Sequence, residues 1–166
     1  DVAIEEMPLP VTLNTPDQLT VSSMRLTWND LNDPDFAAYG ADAPRLSYVN
    51  GSKFPHKVTI GAVTYDVWRT MGGNGFWRQR YLTRIGRATH VLPVQYNYEG
   101  DTSNDSSDDW PWRDYRSDLW FDFGGSTLIQ PANVQSFDNN CAGCHLTGYR
   151  LEGSDADGWS ARAVVD

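Results

Sequence analysis

The chain has 166 residues, enough for one domain with an apolar core of its own. Asp and Glu number 22 against 13 Lys and Arg, a formal charge of −9, which argues against a nucleic acid or an anionic membrane surface as partner. Mean hydropathy is −0.53 and no apolar run approaches the ~18 residues of a membrane helix, so a soluble chain without a membrane span is expected.

Asp1 opens the sequence with no basic, apolar leader before it, which reads as a leader removed or a piece cut from a longer chain. Residues 1–45 read as an extended N-terminal arm or opening strands, with a turn at 29–34, and residues 46–166 as the main domain. Within the latter, Lys57–Ile60 and Val63–Trp68 flank Gly61 and Ala62, the pattern of a β-hairpin. Phe76–Ile85 and Thr89–Tyr96 flank Gly86-Arg87-Ala88, a second hairpin. The period of two puts His90, Leu92, Val94 and Tyr96 on one strand face. Pro93 places that strand at an edge or at a bulge. Trp77, Gln79 and Tyr81 share one face of the partner strand, and Arg78 and Arg80 the other.

Residues 99–118 are acidic and Ser-rich, which suits a solvated surface loop; a weak calcium site is the sharper reading. A break at Gly124-Gly125 follows. Ser136 then caps a short helix over about 137–146, closed by Gly148. A final hairpin pairs residues 149–152 with 159–165. The fold class expected is mainly β, with long loops and one short helix; a small α+β fold is the alternative.

That helix carries the only two cysteines, in Cys141-Ala142-Gly143-Cys144-His145. The form C-x-x-C-H is the attachment signature of c-type haem. Two thiols three residues apart reach the two vinyl groups on one porphyrin edge, and the adjacent imidazole binds the iron. His145 is therefore the expected proximal ligand, Cys141 and Cys144 the thioether anchors, and residues 46–166 a c-type haem domain. Competing readings of the pair are a thioredoxin-like redox couple, a plain disulfide, and a zinc site completed by His56 or His90.

Phe76–Leu82 (FWRQRYL), Val91–Asn97 (VLPVQYN) and Cys141–Tyr149 (CAGCHLTGY) together resemble the multihaem c-type cytochromes, which repeat the C-x-x-C-H motif, over about residues 46–165. The resemblance implies periplasmic or extracellular electron transfer, a covalent haem c, and iron held by two histidines. This chain has one attachment motif where such families have several. It is thus expected to be one module of a longer cytochrome or a carrier with a single haem.

For the second axial position His56, in the loop before a strand, stands slightly ahead of His90; Met7, Met24 and Met71 trail. Arg80 and Arg84 are candidates for contact with the haem propionates, whose carboxylates suit a guanidinium. The acidic surface favours basic redox partner proteins, with further haem modules or identical subunits as other partners. No hydrolytic motif is present, so a non-catalytic role is expected, with haem redox catalysis open only if the sixth iron position is free. The alternative from another class is a secreted, β-rich carbohydrate-binding or structural domain, in which Trp110 and Trp112 stack on sugars and the C-x-x-C is a disulfide or zinc site.

Overall fold

The computed structural model describes residues 4–6, 21–25, 39–49, 55–72, 78–96 and 112–163. Over these residues the chain is mainly β, with two helices of a single turn each. A four-stranded antiparallel sheet has the order β2 (Val21–Arg25), β3 (Arg45–Val49), β4 (Lys57–Ile60), β5 (Val63–Asp66). A five-stranded antiparallel sheet runs β1 (Ile4–Glu6), β6 (Arg69–Met71), β7 (Gln79–Ile85), β8 (Ala88–Tyr96), β9 (Trp112–Asp114). Two small hairpins follow, β10 (Phe121–Asp122) with β11 (Thr127–Leu128), and β12 (Tyr149–Ser154) with β13 (Gly158–Ala163). The two described N-terminal strands do not pair with each other. One joins each large sheet at its edge, Ile4 opposite Met71 and Val21 opposite Val49.

Both expected hairpins form. Lys57 pairs with Asp66 and Ile60 with Val63 around Gly61-Ala62. Ile85 pairs with Ala88, so the second loop is the two residues Gly86-Arg87 and the strand starts one residue earlier than the sequence suggested. Gly86 sits at φ +60, a conformation that side chains with a Cβ resist, and this tightness is what glycine permits there. The expectation of one strand through Val63–Trp68 is corrected: it ends at Asp66. The Val67 amide donates to the His56 carbonyl, and the Trp68 amide donates to the Leu82 carbonyl. In those two residues the chain passes from the four-stranded sheet to the five-stranded one.

Packing follows from strand alternation. Leu46, Val58 and Ile60 from one sheet meet Tyr81, Leu92 and Val94 from the other, closed by Tyr39, Trp120 and Phe121. The next residue along each strand of the β7–β8 pair points the opposite way. Leu82 and Val91 join Met71, Phe137, Ala142 and Cys141 in a second, smaller core. The five-stranded sheet is thus buried on both faces, which is why β8 reads as a nearly continuous buried run. Leu92, Val94 and Tyr96 do share one core, as their spacing suggested. Gln79 and Tyr81 are buried, and the Tyr81 hydroxyl donates to Gln79 Oε1 at 3.1 Å.

Pro93 lies at an irregularity. Arg80 is opposite Gln95, yet Leu82 is opposite Val91, so Leu92-Pro93-Val94 together face Tyr81. Of the two roles open to Pro93, the bulge is the one found. β9 pairs only with residues 94–96 of β8, and the edge of β8 before Pro93 is left to other partners. Trp120 takes one of them, its indole N–H donating to the Val91 carbonyl at 3.0 Å.

Candidate haem site

Ser136 begins the motif-bearing segment as expected. It is fully buried, and its hydroxyl accepts from the Asn139 amide at 3.3 Å. The helix is not the single element the sequence suggested. It is two turns, α1 (Phe137–Asn140) and α2 (Ala142–His145), separated at Cys141, whose φ of −119 departs from helical values. Cys141, Cys144 and His145 therefore lie on a short, bent stretch held against the outer face of the five-stranded sheet.

Asp138 holds it there. This carboxylate is only 5% exposed, and its two oxygens accept from two different strands: Oδ2 from the Thr89 amide of β8 at 2.5 Å, Oδ1 from the Ala161 amide of β13 at 2.8 Å. Phe137 and Ala142 seal the apolar side of the clamp. Nothing in the sequence separates Asp138 from an ordinary acid in the first turn of a helix, where acids are common anyway. Its role depends on two amides 49 and 23 residues away.

Both cysteines are free thiols, Cys144 exposed and Cys141 half-buried. Burial pushes the Cys141 thiol above its ordinary pKa; the nearby positive charges of Arg80 and Arg116 oppose this. In haem-free protein, iodoacetamide at mildly alkaline pH is expected to label Cys144 several times faster than Cys141, read by peptide mass mapping. Equal rates would contradict this environment. The smallness of the two intervening residues has local uses: Ala142 is fully buried in the smaller core, and a Cβ on Gly143 would meet the Tyr149 ring at 3.3 Å. His145 is half-buried, its ring 6.0 Å from that of Phe137.

A cavity of about 310 Å³ opens beside Cys141, at the edge of β8 left free by β9. Tyr115, Arg116, Leu119, Phe137 and Asn140 line it, together with His90 and Val91. That volume lies at the small end of the range for ligand pockets, roughly 300–1,000 Å³. Arg80 stands next to it, its guanidinium 4.0 Å from the centre of the Tyr115 ring and its Nε donating to Gln95 Oε1 at 3.3 Å. Arg84 does not. It stacks 5.2 Å from Trp68 and lines a separate, smaller hollow. Arg116, which sequence reasoning passed over inside an acidic run, has φ +53 and an exposed ion pair with Asp118 at 3.2 Å.

The two histidines considered for the second axial position differ in place. His56 precedes β4, its backbone engaged with Ser47 and Val67, and it does not line the cavity. His90 does, but its ring is sealed: the residue is 1% exposed, and neither ring nitrogen has a hydrogen-bond partner among the described residues. Burial lowers its pKa below the ordinary imidazole value, against the pull of Asp138, so the ring is neutral at pH 7. An unpaired buried imidazole is costly, on the order of 1–3 kcal/mol per unsatisfied group, and neutral imidazole is the form that binds metals.

Among the described residues, no three His, Cys, Asp or Glu side chains are grouped to hold a metal ion, so the zinc alternative gains no ligand set there. Asp114 and Asp118 of the acidic run bond to Ser117 and Arg116; most of that run, with the calcium reading and the proposed sugar-stacking Trp110, lies outside the described residues. Met7 also lies outside them. No helix among the described residues is long and apolar enough to cross a membrane. No family model matches the chain, and neither a curated protein nor a solved structure matches it.

Proposed function

We propose that this chain is an electron-transfer protein carrying one covalently attached haem c, a periplasmic or extracellular module akin to the multihaem cytochromes its motifs resemble. The observation that carries the reading is the C-x-x-C-H stretch itself, presented as two unpaired thiols and an adjacent imidazole on a short segment clamped to the sheet. Cys141 and Cys144 would form the thioethers, and His145 would hold the iron. The bound haem supplies one-electron exchange between ferric and ferrous iron. The chain's part is to fix the thiols and imidazole on a rigid support, through Asp138 and the Phe137–Ala142 packing, and to shield one side.

The residues present fit such a group. Cys141, one of two free thiols at the attachment spacing, lines a cavity of mixed apolar and polar walls, with Arg116 in its lining and Arg80 beside it to offset propionate charge. Of the two arginines singled out in the sequence, we assign this role to Arg80, since Arg84 lines a separate hollow. For the second axial ligand we favour His90 over His56, because it shares the cavity with Cys141; both its ring nitrogens, like Nδ1 of His56, are buried without a partner among the described residues. Its ring reaches the cavity only if the cover over it shifts. With both histidines on the iron, the protein would be a relay and not a catalyst.

Carbon monoxide tests the assignment. Reduced wild-type protein is expected to bind it slowly or not at all, whereas His90→Ala should bind it rapidly with a sharp shift of the Soret band, and His56→Ala should behave like wild type. Rapid binding by the His56 variant alone would transfer the assignment to His56. Rapid binding by wild type would leave the sixth position open.

A further inference from the structure

We propose that residues 115–119 form a strap over the cavity beside Cys141, closed in this structure and able to open at Arg116 to admit the haem ring. The opening rests on the strap's own structure. The haem as its occupant rests on the reading given above.

The strap is fixed at both ends. Before it, β9 pairs with residues 94–96 of β8. After it, Trp120 is 1% exposed and its indole N–H donates to the Val91 carbonyl. Between these anchors Tyr115, Arg116 and Leu119 line the cavity, together with Phe137, Asn140 and Cys141. Arg116 lines it while its side chain is 58% exposed, so at this point the strap alone stands between cavity and solvent. Its backbone tie to β8 is the Tyr115 amide donating to the Pro93 carbonyl at 3.3 Å, a long bond. The remaining backbone bonds are local, Leu119 to Arg116 and Trp120 to Ser117.

Strain and ties oppose each other here. Arg116 has φ +53, the left-handed region that a side chain with a Cβ resists, and leaving it would relieve that strain. One tie crosses the strained residue: the buried Ser117 hydroxyl donates to Asp114 Oδ2 at 2.8 Å. The Tyr115 ring is held by the Arg80 guanidinium, 4.0 Å from its centre. The Arg116–Asp118 ion pair adds little, since both side chains are exposed. Opening would also free His90, which lines the same cavity and is 1% exposed with the strap shut. The one movement thus admits the ring and supplies the shift that ligation by His90 requires.

The test is amide hydrogen exchange of the full chain, made without haem-attachment machinery and followed by nuclear magnetic resonance. Tyr115 reports the strap, and Thr89, whose amide Asp138 holds, reports the sheet. After correction for intrinsic rates, Tyr115 is expected to exchange about a hundredfold faster than Thr89, because strap opening is local. Ser117→Ala removes the tie across Arg116 and should speed Tyr115 about tenfold, with Thr89 unchanged. Attaching haem should slow Tyr115 about tenfold or more, since the ring then packs beneath it. A common rate for the two amides, or a common rise in Ser117→Ala, would overturn the strap. Tyr115 exchange unaltered by attached haem would overturn the ring as occupant. A chain that takes up no haem would end the haem reading, and Tyr115 against Thr89 would still decide whether the strap opens.

Discussion

Replacing Cys141 and Cys144 together with serine is expected to abolish haem retention. After unfolding in acidified solvent the pigment of the double variant should extract completely, while that of the unaltered protein stays with the polypeptide. The reason is bond type: axial imidazole bonds release under acid, and thioethers do not. Single variants should separate the two anchors. Cys144→Ser leaves one vinyl group conjugated with the ring, so the reduced spectrum should move to longer wavelength with the pigment still attached through Cys141. The half-buried Cys141 packs against the smaller core beside α2, so Cys141→Ser should cost stability as well as one thioether, whereas Cys144→Ser, at an exposed position, should cost one thioether alone. Identical pigment retention in the double variant and the unaltered protein would refute thioether anchoring.

The second large effect concerns Asp138. Asp138→Ala is expected to destabilise the fold by about 3 kcal/mol in urea unfolding, because it removes two hydrogen bonds to a charged acceptor and leaves the buried Thr89 amide and the part-buried Ala161 amide without that acceptor. Asp138→Asn keeps one acceptor oxygen but turns an amide donor toward a second N–H, and should lose about half as much or more. The loss is local in its consequence, since the clamp joins α1 to β8 and β13, and Cys141 should become more reactive toward alkylation as the segment loosens. A change below about 0.5 kcal/mol, the size of an ordinary surface substitution, would show that the carboxylate is not the tie described.

Much of this fold was legible. The hairpin at Gly61-Ala62 follows from an alternating run on either side of a glycine, and the bulge at Pro93 from a residue that cannot donate to a ladder. The C-x-x-C-H pattern is legible because it is a matter of spacing alone. Other features depend on distant partners. The passage between sheets at Val67-Trp68 leaves the strand-like pattern of Val63–Trp68 intact, so period two continues where the strand does not. The split of the helix at Cys141 has no glycine or proline to announce it. Ranking His56 ahead of His90 relied on loop freedom. The structure sets His56 in the hydrogen bonds of the sheet junction, and brings His90 to the cavity by way of a strand edge that β9 leaves uncovered. Arg84 was chosen for its guanidinium, and only the fold shows that it faces Trp68 and not the cavity beside Cys141.

The most direct measurement is the intact mass of the denatured protein, made in cells with haem-attachment machinery and paired with an alkylation assay. The account predicts the polypeptide mass plus one haem, with neither thiol open to iodoacetamide. A bare polypeptide mass, with both Cys141 and Cys144 alkylated without prior reduction, would contradict it.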